Sequence, residues 1–223
     1  MIIVHHLNNS RSQRVLWLLE ELGLEYEVKR YERDPQTLLA PPELRKVHPL
    51  GKSPVITDGE LTLAESGAIA QYLVSRRGAG RLAPAMDSPG WPRYLYWLHY
   101  AEGSVMPPLL VKLIFDRIEK SPMPFFVRPV ARGIVGKVQS SFIEPRLGDH
   151  LNFMESELRR SAWFAGEEFT AADIQMSFPL EIAIHRAGLD ASRPKLMAFL
   201  ERIHARPAYK KALERGGRYD LNF

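Results

Sequence analysis

The 223-residue chain contains no cysteine. That removes disulfides, thiolate metal sites and a cysteine nucleophile of the protein's own, and it suits a reducing compartment. No run approaches the roughly 18 apolar residues that a membrane-spanning helix needs. The initial "MIIVHHL" lacks the basic lead, the long apolar stretch and the small-residue cleavage site of a secretory signal. A soluble cytoplasmic protein with no membrane partner is the expectation. Clustered charge is also missing: 30 Lys and Arg stand against 26 Asp and Glu, for a formal charge of +4, and the two signs are interspersed without a polybasic tail. With no basic stripe or recognisable module, a nucleic-acid partner is not expected, and a small anionic substrate fits the mild positive balance better. H-E-x-x-H, G-x-S-x-G and P-loop patterns are absent, and with them the parts for zinc hydrolysis, α/β-hydrolase chemistry and nucleotide hydrolysis. His5 and His6 are neighbours in a predicted strand, so they point to opposite faces and cannot share one ion. No metal is expected.

What is present divides the chain in two. "MIIVHHL" reads as a strand and "SRSQRVLWLLEELG" as an amphipathic helix, with Val15, Leu16, Leu18, Leu19 and Leu22 on its apolar side and Gly23 as its stop. "YEVKRY" is a second strand. Prolines at 35, 41, 42 and 49 break the next stretch into a loop with one short helix near "PELRKV". "GKSPVITDGELTLAES" reads as a hairpin turning at Asp58-Gly59. It opens on Pro54, which has no N–H to give a ladder, so the strand is expected to leave backbone unpaired on one side. "ESGAIAQYLVSRR" closes this half as a helix, giving the order β-α-β-α-β-β-α. After residue 90, "WPRYLYWLHYAEGSVMPPLLVKLIFDRIEK", "KVQSSFIEPRLGDHLNFMESELRRS", "TAADIQMSFPLEIAIHRAG" and "PKLMAFLERIHARPAYKKALERGG" all carry helical periodicity. The expected boundaries are 1–80 for the α/β half, 81–90 for a linker around "RLAPAMDSPG", and 91–223 for an all-helical half.

The element order, the segment "SPVI…DG…L.ESGAIAQYL" and, about 100 residues later, "FTAADIQMS" together resemble the soluble glutathione S-transferase family over essentially the whole chain. They look like a bacterial-type member with serine and asparagine at the head of the first helix. The resemblance implies an α/β thioredoxin-like N-terminal domain followed by an all-α C-terminal domain. It further implies glutathione as co-substrate, conjugation to small hydrophobic electrophiles, and a homodimer. The same fold also serves glutathione-dependent peroxidases and isomerases, or a non-enzymatic binding module.

Several residues acquire roles from that resemblance. A cis bond between Ser53 and Pro54 turns the Ser53 N–H and C=O toward the cysteinyl backbone of glutathione, which joins as an extra antiparallel strand. The γ-glutamyl carboxylate is received by the hydroxyl and N–H of Ser66, at the positive end of a helix, and Glu65 accepts from the ligand's amino group. Lys52 meets the glycine carboxylate. Glu65 and Ser66 also read as ordinary helix-start residues, and both roles are compatible.

The family places its thiol-activating group where the first strand runs into the first helix, here "LNNSRSQRV". Anchored on Arg14-Val15, the activating position falls on Asn9 with Ser10 directly after it, a departure from the usual serine or cysteine. The candidates are the Ser10 hydroxyl, preferred, the Asn9 amide and the Arg11 charge; Ser10 also reads as a helix cap. No tyrosine stands in this stretch, which disfavours the tyrosine-dependent classes, and the lack of cysteine disfavours thiol–disulfide exchange. Tyr94, Leu98, Met106, Leu110 and Phe115 are the candidates for an apolar acceptor pocket, although aromatic stripes at helical spacing are mostly core. In "FTAADI", Thr170 and Asp173 form a capping-box pair and Phe169 is placed to staple against Ile174, a folding role.

Overall fold

The computed structural model describes residues 1–37 and 39–221. Strand β1 (Ile2–Leu7) lies parallel to β2 (Tyr26–Tyr31) and antiparallel to β3 (Val55–Asp58), which pairs antiparallel with β4 (Leu61–Ala64), giving the order β2-β1-β3-β4. A parallel pair needs a crossover, and helix α1 (Ser12–Leu22) supplies it, stopping at Gly23 in the left-handed region (φ +62°). Helix α2 (Glu43–Val47) fills the proline-rich loop, and α3 (Ser66–Tyr72) continues as wide turns over Leu73–Arg77. The sheet-and-helix half therefore has the expected order and the thioredoxin-like arrangement.

Two local expectations are corrected. The β3–β4 ladder pairs Asp58 with Leu61, so the two loop residues are Gly59 and Glu60, not Asp58 and Gly59. Gly59 at φ +61° takes the first central position, where glycine costs least. Nor is β3 an open edge. Val55 pairs with His5 on one side and Ala64 on the other, so Pro54 stands just before a fully paired inner strand. The unpaired backbone lies one residue earlier, at Ser53.

Helices α4 (Trp91–Tyr100), α5 (Met106–Lys120), α6 (Arg128–Val138), α7 (Glu144–Glu157), α8 (Ala171–Arg186), α9 (Pro194–Ala205) and α10 (Pro207–Gly216) make up the second half. Wide i→i+5 turns join α4 to α5 over Ala101–Val105 and α6 to α7 over Gln139–Ile143. Each is followed two residues on by a proline, Pro107 or Pro145. A residue without an N–H cannot continue the i→i−4 ladder, and the extra residue in the turn absorbs the mismatch.

Helix α8 is buried at every position from Ala171 to Ala183 and is the spine of this half. Its start is tied as expected, with the Thr170 N–H and hydroxyl donating to Asp173 Oδ2 at 2.8 and 3.0 Å, and the Phe164 N–H donating to Asp173 Oδ1 at 2.8 Å. Phe169 turns its ring to Trp17 and Trp163, with centroids 5.7 and 4.9 Å away.

Helix α1 lies between the halves. Its apolar residues pack under the sheet, while Trp17 meets Tyr209 edge-on, Glu21 takes both oxygens to Arg206, and Glu20 pairs with Lys211 and Arg215. It is amphipathic in sequence yet covered on both sides, because the helical half caps its polar face with matching cations. No helix among the described residues is long and apolar enough to cross a membrane.

Candidate functional site

The C-terminal end of β1, the first turn of α1, the residues before β3 and the start of α3 converge on one cleft. Lys52, Ser53, Pro54, Glu65 and Ser66 line a cavity of about 210 Å³ together with Arg11, His48 and Glu102. The Ser53–Pro54 peptide is cis. Ser53 is fixed by its side chain, which donates to the His5 carbonyl at 3.0 Å and accepts the Leu7 N–H at 3.4 Å. Among the described residues its own N–H and C=O have no main-chain partner. A backbone segment presented in this way can pair with an added extended peptide.

Glu65 is exposed and sits at φ +69°, a conformation that costs an L-residue of this size energy and that clusters at ligand sites. Ser66 follows as the first residue of α3, where backbone N–H groups have no intrahelical partner. Its hydroxyl is otherwise engaged. It accepts from Arg14 Nη2 at 3.1 Å and lies 3.5 Å from Glu102 Oε1. The N–H of Ser66 has no intrahelical partner, and its hydroxyl is shared with the Arg14–Glu102 pair.

Arg14 and Glu102 are the residues that sequence reasoning missed. Arg14 is buried; besides Ser66 it reaches the Gln175 carbonyl at 2.6 Å and Glu102 Oε1 at 2.5 Å. Arg11 Nε meets both Glu102 oxygens at 3.0 and 2.9 Å. Burial pushes the Glu102 carboxyl up, but Arg14 and Arg11 outweigh it and hold it below the ordinary glutamate value. In the sequence Arg14 is one more polar residue of the first helix, and a lone acid in the aromatic stretch "WLHYAEGS" carries no periodic signal. Their partnership spans 88 residues of sequence.

At the head of α1, Ser10 Oγ accepts the Ser12 N–H at 3.2 Å, the capping role, and shares a hydrogen bond with Ser12 Oγ at 2.8 Å. Ser12 Oγ is in turn 2.8 Å from His6 Nδ1. Burial, and secondarily Arg30, push His6 down to about 4, against a smaller upward effect of the Gly216 main chain, so its ring is neutral near pH 7. Ser10 Oγ also lies 3.5 Å from Ser53 Oγ, which brings the activating candidate to the unpaired backbone. Asn9, at φ +50°, accepts the Asp220 N–H on its amide oxygen at 2.8 Å, leaving the amide nitrogen as a donor.

Beyond Ser10 opens a second cavity, about 250 Å³, walled by Asn9, Arg11, Met106, Leu110, Phe178 and Ile182 among others. Met106 and Leu110 are among its walls. Tyr94 and Leu98 are not: each is 1% exposed and packed in the helical core, Tyr94 against Trp91. Phe115 is half-buried against that core and does not line the cavity. Tyr94 and Leu98 face inward from α4, and Phe178 and Ile182 of α8 add to the wall that α5 begins.

Matches to known families agree with this geometry. Residues 1–75 match the model of the glutathione S-transferase N-terminal domain, and residues 143–207 match that of the C-terminal domain. The chain belongs to the glutathione S-transferase family. It is 34% identical over its whole length to glutathione S-transferase 1 of Saccharomyces cerevisiae, covering 98% of that protein. To glutathione S-transferase 3 of Schizosaccharomyces pombe it is 36% identical, over 96% of this chain and 88% of the other. The crystal structure of a glutathione S-transferase from Actinobacillus pleuropneumoniae superposes with a TM-score of 0.80 at 36% identity, covering 99% of this chain and 95% of that one. A sphingomonad glutathione S-transferase complexed with glutathione is 26% identical with a TM-score of 0.73, covering 96% and 98%. The protein is thus a glutathione transferase, and glutathione is its co-substrate. The cleft suits that tripeptide: a main chain at Ser53 without a main-chain partner, free amides opening α3, and an acid at Glu65 beside them.

Proposed function

We propose that the transferase binds glutathione along Ser53 and adds its sulfur to a small apolar electrophile held in the cavity beyond Ser10. The cysteinyl main chain pairs with the Ser53 N–H and C=O, and the γ-glutamyl carboxylate takes the amides at Ser66. Glu65 accepts from the ligand's amino group, and Lys52 meets its glycine carboxylate. Backbone pairing and a helix N-terminus together fix both ends of an extended tripeptide.

The observation that carries this reading is the 3.5 Å approach of Ser10 Oγ to Ser53 Oγ. A ligand cysteine laid on Ser53 has its sulfur beside Ser10 and Asn9. A free thiol has a pKa near 8.5, and each unit of depression takes about 1.4 kcal/mol of thiolate stabilisation. Ser10 Oγ accepts the Ser12 N–H and directs its own proton to Ser53 Oγ at 3.5 Å, and an anionic sulfur outcompetes that neutral oxygen for it. The Asn9 amide nitrogen is a second donor. Arg11, pinned by Glu102, adds positive charge at the mouth of both cavities. The thiol proton leaves to solvent, the thiolate forms a C–S bond, and the leaving group departs with its electron pair. Holding the two partners together lowers the entropic part of the barrier.

A homodimer and a cytoplasmic location belong to this reading and rest on the family alone. Glutathione affinity by calorimetry, followed by conjugation of a chromogenic halonitrobenzene, tests the whole. Binding without conjugation but with turnover of an organic hydroperoxide would move the assignment to a glutathione peroxidase.

A further inference from the structure

The segment after α10 doubles back onto the head of α1. It leaves the helix at Gly216, where an added Cβ would come within 2.5 Å of Gln13 Oε1 and 3.3 Å of His6 Cε1, so the close approach needs a residue without a side chain. Gly217 then turns at φ +84°. Further on, Leu221 is buried in the common core. Between these points the segment is tied twice.

The first tie is Tyr219, whose hydroxyl donates to Glu181 Oε2 at 2.6 Å. Glu181 is a buried acid of α8 that glutathione binding does not use. Its other oxygen accepts the Tyr209 hydroxyl at 2.7 Å and lies 3.0 Å from His204 Nε2. Helices α8, α9 and α10 thus build a fixed acceptor, and Tyr219 docks on it. Burial, and then Glu181, push the Tyr219 phenol well above its ordinary value, so it stays a donor at neutral pH.

The second tie is the next residue. The Asp220 N–H donates to Asn9 Oδ1 at 2.8 Å, and Asn9 lines the cavity beyond Ser10. A side-chain amide has a donor at one end and an acceptor at the other. Facing a thiolate, the nitrogen end stabilises the charge, whereas a half-turn would bring up the carbonyl oxygen, which repels it. The Asp220 N–H, lodged on that oxygen, leaves the nitrogen as the end available.

We propose that Tyr219 is a positioning residue for thiol activation: anchored on Glu181, it holds the Asp220 N–H against Asn9 and so keeps the Asn9 amide nitrogen, rather than its oxygen, on the sulfur of bound glutathione. This inference rests on the placement of the thiolate beside Ser10 and Asn9. It gives a part in the reaction to a segment that lies 211 residues from Asn9 in sequence.

The test is a set of double-mutant cycles. Asp220→Pro deletes the N–H, and Asp220→Ala, which keeps it, is the control for the lost carboxylate and its surface pair with Arg218. Tyr219→Phe removes the anchoring hydroxyl and retains the ring. Each is measured in the parent and in Asn9→Ala for the pKa of bound glutathione by thiolate absorbance, for kcat and KM with a chromogenic halonitrobenzene, and for melting temperature. In the parent, proline relative to alanine, and Tyr219→Phe relative to tyrosine, should raise the bound-thiol pKa. Each should lower kcat at neutral pH by about three- to tenfold, the worth of one hydrogen bond, with KM for glutathione unchanged. In Asn9→Ala both effects should vanish, because the amide they orient is gone. A segment that only stabilises the fold would cost activity equally in both backgrounds, and that result overturns the inference. So does proline matching alanine, or Tyr219→Phe matching the parent. If proline prevents folding, the Tyr219→Phe cycle decides by the same criteria. If Asn9→Ala moves the bound-thiol pKa while the two segment variants do not, this inference alone falls. If Asn9→Ala leaves both thiol pKa and rate unmoved, the Asn9 part of the thiolate placement falls and takes this inference with it.

Discussion

Arg14 Nη2 lies 2.5 Å from Glu102 Oε1, inside the seam between the two halves of the chain, and the same nitrogen is 3.1 Å from Ser66 Oγ. One buried cation thus couples the start of α3 to the turn between α4 and α5. Glu102→Gln leaves that cation without its counter-charge. Breaking a buried pair costs about 3–5 kcal/mol, and because the Glu102 side chain is 30% exposed, solvent screening should reduce the loss to about 2 kcal/mol. The pH sign follows from the depressed carboxyl. Its stabilisation is present above the unfolded value of 4.5 and is lost as pH falls through the lower folded value. Denaturant unfolding across pH 3–7 should show a deficit for the variant near pH 7 that closes in acid. A constant deficit would contradict the ion-pair account.

Ser10 and Asn9 are separable by titrating the bound thiol. Loss of one hydrogen bond to an anion is worth about 1.5–3 kcal/mol, or one to two units of thiol pKa. Ser10→Ala should therefore raise the pKa of bound glutathione, read from thiolate absorbance in the ultraviolet. At neutral pH it should lower kcat by about tenfold or more, with Asn9→Ala milder. Full rate in both variants would remove the thiolate from this corner.

His6 is buried and neutral, pushed down to about 4 against 6.5 when unfolded. The unfolded chain gains its proton first, so stability should decline as pH falls from 6.5 toward 4. The full swing from that single ring is about 3 kcal/mol. His6→Gln should flatten this part of the profile in chemical unfolding, while an unchanged slope would assign it elsewhere.

A helix cap such as Asp173 provides is by itself worth about 0.5–2 kcal/mol. The structure adds the Phe164 N–H, and burial pushes the carboxyl up to about 6 despite its donors. Asp173→Ala orphans two main-chain donors in the core, so the loss should reach at least about 2 kcal/mol. The melting temperature should drop while glutathione affinity at a permissive temperature stays at the parent value. Equal melting temperatures would refute the folding role.

How much was readable in advance depended on the range of the interactions. Local signals survived intact: Gly23 as a stop, the capping box at Thr170 and Asp173, the crossover helix, and the cluster Lys52-Ser53-Pro54 with Glu65-Ser66, whose parts are close in sequence or joined by one hairpin. Periodicity identified helices but not which face meets a ligand. Tyr94 and Leu98 belong to a stripe that packs inward, whereas Phe178 and Ile182 sit on a helix whose apolar and polar residues alike are buried, so that no stripe marks the side that lines a cavity. Arg14 and Glu102 stayed hidden because isolated charges acquire meaning only when separate elements bring them together. The paired state of β3 was misread for a related reason: Pro54 reports only on its own missing N–H, and Val55 onward is free to pair on both sides.

The central claim is that glutathione lies along Ser53 with its γ-glutamyl end at the start of α3. A crystal structure of the protein grown with glutathione measures this directly. The account predicts antiparallel hydrogen bonds between the cysteinyl residue and the Ser53 main chain, the glutamyl carboxylate on the Ser66 N–H, and sulfur within reach of Ser10 Oγ. Tripeptide density seated away from Ser53 and α3, in a crystal where that cleft is accessible, would contradict it.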